Sequence, residues 1–217
     1  MRNTESLKLN DLKQLYLVDK LSAKQISKKL NCSETKVHYW ISKYSLPKRS
    51  ISDAVYQKLN PNGDPYTVAK INSLEDSFLL GLGLGLFWGE GNKRDKSSVR
   101  LGNSDPDLIA TFLYFLENRY QIQKHRLRFG LQIFSDMDPE EVEKFWMNRL
   151  GIKLEQLYKT VVTISGKTGT YREKSKHGVL TIYFHNKKLR DLLLAKIDNL
   201  RRIDYSSLVL PEEDKPM

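Results

Sequence analysis

The acid best set for chemistry is Glu90, which follows the apolar run from Phe78 to Trp88 and is itself followed by Gly91. Within and just after that run Gly81, Gly85 and Gly89 recur every fourth residue. On a helix this spacing aligns the three glycines in one stripe, with no side chains to hold a second helix away. Each glycine inside a helix costs about 0.8–1.0 kcal/mol relative to alanine. Three on one stripe therefore imply a return, most simply close packing against another helix with Glu90 at the end of the contact. A glycine-rich core helix with an incidental terminal acid, or a buried Leu/Gly strand, are the alternatives. Ser73-Leu-Glu-Asp76 resembles a helix start, with Ser73 as N-cap and Asp76 in the first turn, which favours the helix. The run is shorter than the ~20 apolar residues that a membrane span needs.

Other reactive groupings are set aside on spacing. The histidines at 38, 125, 177 and 185 lack i,i+4 pairing and have only Cys32 to join them, so no zinc site is expected. Gly81, Gly83, Gly85 and Gly89 lie within one run rather than between a strand and a helix, unlike a dinucleotide fingerprint. Gly166-Lys-Thr-Gly169 lacks the earlier glycine and the strand-to-helix setting of a P-loop. No Ser or Cys stands in a recognisable nucleophile turn.

The elements that must position Glu90 follow from periodicity. After the glycine helix come a strand near Val99–Asn103 and a helix from Asp105 to Tyr120, capped by Ser104, with Leu108, Phe112, Phe115 and Leu116 as its apolar stripe. Residues Arg126–Phe134 alternate strictly, giving a half-buried strand with Arg126, Arg128 and Gln132 on its polar face. Asp138-Pro-Glu-Glu141 opens a helix that Gly151 ends near Leu150. Strands at Tyr158–Ser165 and Val179–His185 flank a basic loop, Gly166–Gly178, carrying Lys167, Arg172, Lys174 and Lys176. On the second of these strands Leu180, Ile182 and Phe184 face inward, and Thr181, Tyr183 and His185 outward. A helix from Lys187 to about Leu200 uses Leu189, Leu192, Leu193 and Ile197, and the tail after Pro211 is short and acidic. The succession is α+β.

The first third is a separate helical unit. Leu9–Lys20 is helical in pattern, Ser22-Ala-Lys-Gln25 is a capping box for a second helix to Leu30, and Ser33 caps a third to Tyr44. With Asn31-Cys32 as the tight turn and Ile26, Leu30, Val37, Trp40 and Ile41 as a small core, this is a helix-turn-helix pattern. Residues 7–49 resemble the trihelical DNA-binding domains of serine recombinases and many bacterial regulators. That resemblance places Glu34, Thr35, Lys36, His38, Tyr39 and Lys43 toward the major groove, with Lys48 and Arg49 as a phosphate or minor-groove arm. Residues 50–73 read as a linker with a short helix at Ser52–Leu59 and a turn-rich Asn-Pro-Asn-Gly-Asp-Pro65.

Residues 83–91, Gly-Leu-Gly-Leu-Phe-Trp-Gly-Glu-Gly, resemble the signature helix of the LAGLIDADG homing endonucleases. Gly85, Leu86, Gly89, Glu90 and Gly91 fall where the motif has Gly, Leu, Ala, its acid and its last Gly, while Trp88 replaces its first Asp. The resemblance implies a LAGLIDADG-like α/β sandwich over residues 74–210, near an α-β-β-α-β-β-α plan. It needs Gly91–Lys93 to pair back on Val99–Leu101, and it leaves the Asp138–Leu150 helix as an extra or re-placed element. It also implies a catalytic Glu90 holding Mg²⁺ or another divalent ion at a metal site with Gly91. The outer sheet face, with Arg100, Arg126, Arg128, Gln132, Lys159, Thr181, Tyr183 and His185, would meet base edges and phosphates in the major groove of double-stranded DNA. One motif copy implies a homodimer, with Gly81, Gly85 and Gly89 at its interface. A metal-dependent DNA endonuclease and a non-catalytic transcriptional regulator with the same fold both remain open.

Charge agrees with a polyanionic partner. The 217 residues carry a net +10, of which residues 1–70 hold 13 Lys and Arg against 6 Asp and Glu, and the rest 23 against 20. The surplus sits on the helix-turn-helix side, and with no basic amphipathic helix to suggest a membrane, nucleic acid is the expected partner. At 40% hydrophobic residues the chain can build one full core plus a small helical module. The polar N-terminus and the lone Cys32 lead to the expectation of a reducing cytoplasm, at the nucleoid.

Overall fold

Four serines open helices in the computed structural model of the protein, which describes residues 6–164 and 176–203. Ser22, Ser33, Ser50 and Ser73 each accept a hydrogen bond from the backbone N–H three residues on, satisfying one donor that a helix start leaves unpaired. The chain divides into two compact units, Met1–Pro65 and Tyr66–Met217. The expected linker is therefore shared, its helix going to the first unit and its last residues to the second.

In the first unit, α1 (Leu9–Lys13) widens into a π-helical turn at Gln14–Val18, followed by α2 (Ala23–Lys29), α3 (Glu34–Lys43) and α4 (Ile51–Leu59). The first helix is thus not the uninterrupted α-helix expected to Lys20. The extra residue in the turn accompanies the burial of Leu12, Leu15 and Tyr16 together. The capping box is complete, with Gln25 Oε1 accepting from the Ser22 N–H at 2.9 Å. Asn31 takes the left-handed conformation at the α2–α3 turn, with φ +46°. Ile26, Val37 and Ile41 join the buried core, while Leu30 and Trp40 pack at its margin.

In the second unit, α5 (Leu74–Glu90) leads to β1 (Val99–Asn103), α6 (Pro106–Arg119), β2 (Arg128–Phe134) and α7 (Pro139–Leu150). The chain continues through β3 (Val161–Thr163) and β4 (Val179–Phe184) into α8 (Lys187–Arg201). The strands form one sheet ordered β1-β4-β2-β3, antiparallel except for the β2–β3 pair. Val99, Leu101, Phe129, Leu131, Ile133, Leu180, Ile182 and Phe184 form its buried face. The architecture is α+β.

Several expected details move. The α6 cap is Asp105, not Ser104, because the Asp105 carboxylate accepts from both Asp107 and Leu108 N–H groups. Arg126 belongs to a 3₁₀ turn, Lys124–Arg126, since cross-strand pairing begins only at Arg128 opposite Tyr183. Among the described residues of Tyr158–Ser165, only Val161–Thr163 form a strand, and they pair in parallel with β2. Leu108 and Leu192 are half-buried, while Ile109 and Leu113 complete the buried stripe of α6. The hairpin expected at Gly91–Lys93 is reduced to a bridge from Gly91 to Leu101 and a hydrogen bond from Asn92 N–H to Arg100 O. Gly151 ends α7 as expected, at φ +61°. The tail after Pro211 lies outside the described residues. No helix among them is long and apolar enough to cross a membrane.

Candidate functional site

The glycine run is helical throughout, and α5 buries only one side. Gly83, Leu84 and Phe87 face the core, where the Phe87 ring stacks parallel to Phe112 at 6.1 Å between centroids. On the other side Gly81, Gly85 and Gly89 are exposed, and a Cβ added at any of them would meet nothing within 4 Å. Phe78, at 68% exposure, and Trp88 flank the stripe, and the Arg201 guanidinium stands 5.3 Å from the Trp88 ring centroid. A bare, apolar ridge of helix backbone is thus open at the surface of the unit.

Glu90 is exposed at the last residue of α5. Gly91 is required by close approach: a Cβ there would lie 2.3 Å from the Phe87 ring and 2.4 Å from its carbonyl oxygen. The following residues tie off the helix end. Lys93 Nζ donates to Trp88 O at 2.5 Å, placing a cation at the negative end of the helix dipole within three residues of Glu90. Spacing gave no warning of Lys93, which acts by reaching backward over the helix terminus. Asp95 organises the rest of this loop. Burial alone would raise its pKa, but hydrogen bonds from the backbone and hydroxyl groups of Ser97 and Ser98 outweigh that and hold the carboxyl at about 2. It also pairs with Arg100 at 2.6 Å.

Metal-ligating chemistry is sparse among the described residues, where no three His, Cys, Asp or Glu side chains gather into a group able to hold a metal. Glu90 offers a single hard carboxylate, suited to Mg²⁺ only where a second carboxylate or a phosphate completes the set.

The sheet brings together some of the expected basic residues. Arg100 on β1, Tyr183 on β4 and Arg128 on β2 form one cross-strand row on the open face, and Gly102, Thr181 and Gly130 form the next. Arg100 donates through Nε to Ser98, in addition to its Asp95 pair, and its guanidinium lies 5.1 Å from the Tyr183 ring centroid. Arg128 donates to the carbonyls of His125 and Leu127. Gln132 donates to the Thr163 hydroxyl at 3.0 Å. Arg126 and Lys159 are exposed beside the sheet rather than on a strand. Lys167, Arg172 and Lys174 lie outside the described residues, and Lys176 is exposed just before Gly178.

The sequence pointed to Tyr183 and His185 as outward, but not to Tyr158, which completes their cluster. The Tyr158 hydroxyl and His185 Nε2 are hydrogen-bonded at 2.7 Å, and the Tyr158 ring meets Tyr183 edge-on with centroids 5.5 Å apart. Burial, reinforced by Arg100, lowers the His185 pKa and favours the neutral ring.

In the first unit Thr35, His38, Tyr39 and Lys43 lie exposed on α3, with Lys36 half-buried. Lys43 Nζ stands 4.5 Å from the Trp40 ring centroid and 5.6 Å from that of Tyr39. Of the expected arm, Lys48 is exposed but Arg49 turns into the unit. Its guanidinium donates to the carbonyls of Tyr16, Lys20 and Leu21 and lies 4.2 Å from the Tyr16 ring centroid. Burial lowers its pKa. Arg49 is a clamp between the chain after α3 and the end of the first helix. The chain matches no protein-family model, no curated protein and no solved structure.

Proposed function

We propose that the protein binds double-stranded DNA as a homodimer, pairing through the open glycine stripe of α5 and carrying a LAGLIDADG-type metal-dependent endonuclease site at Glu90. The observation that carries this reading is the bare ridge of Gly81, Gly85 and Gly89, which none of the described residues covers and which ends at an exposed acid. Two copies joined along it bring two Glu90 carboxylates toward one axis. Such a pair repels itself and the DNA unless a cation sits between, and two carboxylates with a substrate phosphate are donors that Mg²⁺ accepts. A divalent ion held there would supply electrophilic assistance to phosphodiester cleavage. The exposed positions of α3 supply the duplex-reading helix, with Thr35, His38, Tyr39 and Lys43 toward base edges and phosphates.

One observation favours the second reading, a transcriptional regulator that uses the same fold for DNA binding and dimerisation. Trp88 stands where the family motif has an acid, and it offers a ring face to Arg201 but no oxygen that could ligate a metal. Plasmid cleavage with Mg²⁺ or Mn²⁺, wild type beside Glu90→Gln, separates the two. Cutting by the wild type that vanishes in the variant is the expected outcome. Equal binding of both proteins to duplex with no cutting by either transfers the conclusion to the regulator.

A further inference from the structure

The open face of the sheet has two unusual properties. None of the four strands contains an Asp or Glu, and Asp95, the carboxylate that reaches Arg100 from the preceding loop, is paired with it. Its hydrogen-bonding groups are nevertheless mostly engaged with protein partners. Arg100 is held by Asp95 and Ser98, Arg128 by two carbonyls, Gln132 by Thr163, and the Tyr158 hydroxyl by His185. Reading a duplex in its major groove needs free donors and acceptors aimed at base edges, and these side chains are engaged elsewhere.

What remains available is ring surface. Tyr158 is 44% exposed, and Tyr183 and His185 stack with planes 24° apart. Tyr183 lies across Gly130, where an added Cβ would come within 3.0 Å of its ring. Glycine on β2 lets this ring lie down on the sheet rather than stand off it. Arg100 sits over the same ring, its planar guanidinium adding a second kind of stacking surface. Aromatic rings laid on a sheet, flanked by arginines, suit bases that have left a double helix, because an unpaired base offers its π-face and a paired one does not.

We infer that the outer face of the sheet binds unpaired bases of a nucleic-acid strand by stacking them on Tyr158 and the Tyr183–Arg100 layer, with Arg128 and Lys159 beside the backbone phosphates. The inference rests on the nucleic-acid reading above and adds a strand preference to this unit, leaving duplex reading to α3.

Fluorescence anisotropy of the full chain with a labelled oligo-dT and with a labelled duplex of the same length tests it. Tyr158→Leu weakens oligo-dT binding about tenfold, in the range measured for loss of one stacked base, and leaves duplex binding within about twofold. Tyr158→Phe, which keeps the ring and loses only the bond to His185, holds oligo-dT affinity within about twofold of wild type, and thermal melts establish that both variants fold. Unchanged oligo-dT affinity in Tyr158→Leu overturns the inference, as does an equal loss for oligo-dT and duplex. Wild type that binds duplex but not oligo-dT sinks this inference alone. Wild type that binds oligo-dT with the Tyr158 dependence but not duplex upholds it and sinks the duplex reading, and binding of neither sinks both.

Discussion

The two sides of α5 use the same residue type for opposite reasons. At Gly83 a Cβ would fall 2.2 Å from the Phe115 ring, so glycine is there because α6 leaves no room. Across the helix, Gly81, Gly85 and Gly89 have open space where their side chains would be, so nothing among the described residues selects glycine. The first side is explained by packing within the chain, and on the function proposed above the second is explained by a partner. The proposed pairing through α5 would offset the roughly 0.8–1.0 kcal/mol that the helix gives up at each of these three exposed positions.

Breaking the packed side should be costly. Arg119 is 4% exposed; it pairs with Asp76 of α5 at 2.5 Å and donates to the carbonyls of Ala69 and Lys70, fastening the chain before α5 to α6. Arg119→Ala leaves those carbonyls and the partly exposed carboxylate without their partner and should destabilise by about 2–3 kcal/mol in denaturant unfolding, the range for removing a charged hydrogen-bond partner. Gly83→Ala forces the new methyl group into Phe115 and should cost about 1–3 kcal/mol, the range for overpacking. The loop beyond Gly91 adds a pH signature. Asp95, at about 2 when folded against 3.8 unfolded, binds its proton more weakly in the native state. Its contribution is fully present above pH 4 and lost as pH falls through 2. Asp95→Asn should flatten the acid limb of a stability–pH curve.

The open side should behave in reverse. Gly85→Ala relieves the helix penalty with no clash and should stabilise the monomer by up to about 1 kcal/mol. If it destabilises instead, the stripe is packed and the contrast with Gly83 fails.

Sequence legibility followed the range of the interactions involved. Helix starts at Ser22, Ser33 and Ser73 were readable because cap and capped N–H lie three residues apart, whereas the helix expected from Ser52 starts at Ile51 with Ser50 as its cap. The inward face of β4 was readable because alternation is local. Arg126 was misplaced because its alternating pattern with Leu127 and Arg128 continues into a turn that has no strand partner. The parallel pairing of β3 with β2, and the placement of β4 between β1 and β2, depend on residues far apart in the chain. So does the engagement of Arg49, whose carbonyl partners lie about thirty residues back, whereas Arg100 and Arg128 are held by near neighbours in loops and turns whose path no charge pattern specifies. Likewise Gly83 and Gly85 look alike in sequence, and only the position of Phe115 separates them.

Sedimentation equilibrium of wild type and Gly85→Leu, alongside their melting temperatures, tests pairing through α5 most directly. A leucine at 85 has room in the monomer but blocks a second helix. The account predicts wild type at twice the 25.3 kDa chain mass and Gly85→Leu at a single chain mass with an undiminished melting temperature. A monomeric wild type at micromolar concentration, or a Gly85→Leu dimer as tight as wild type, would contradict it.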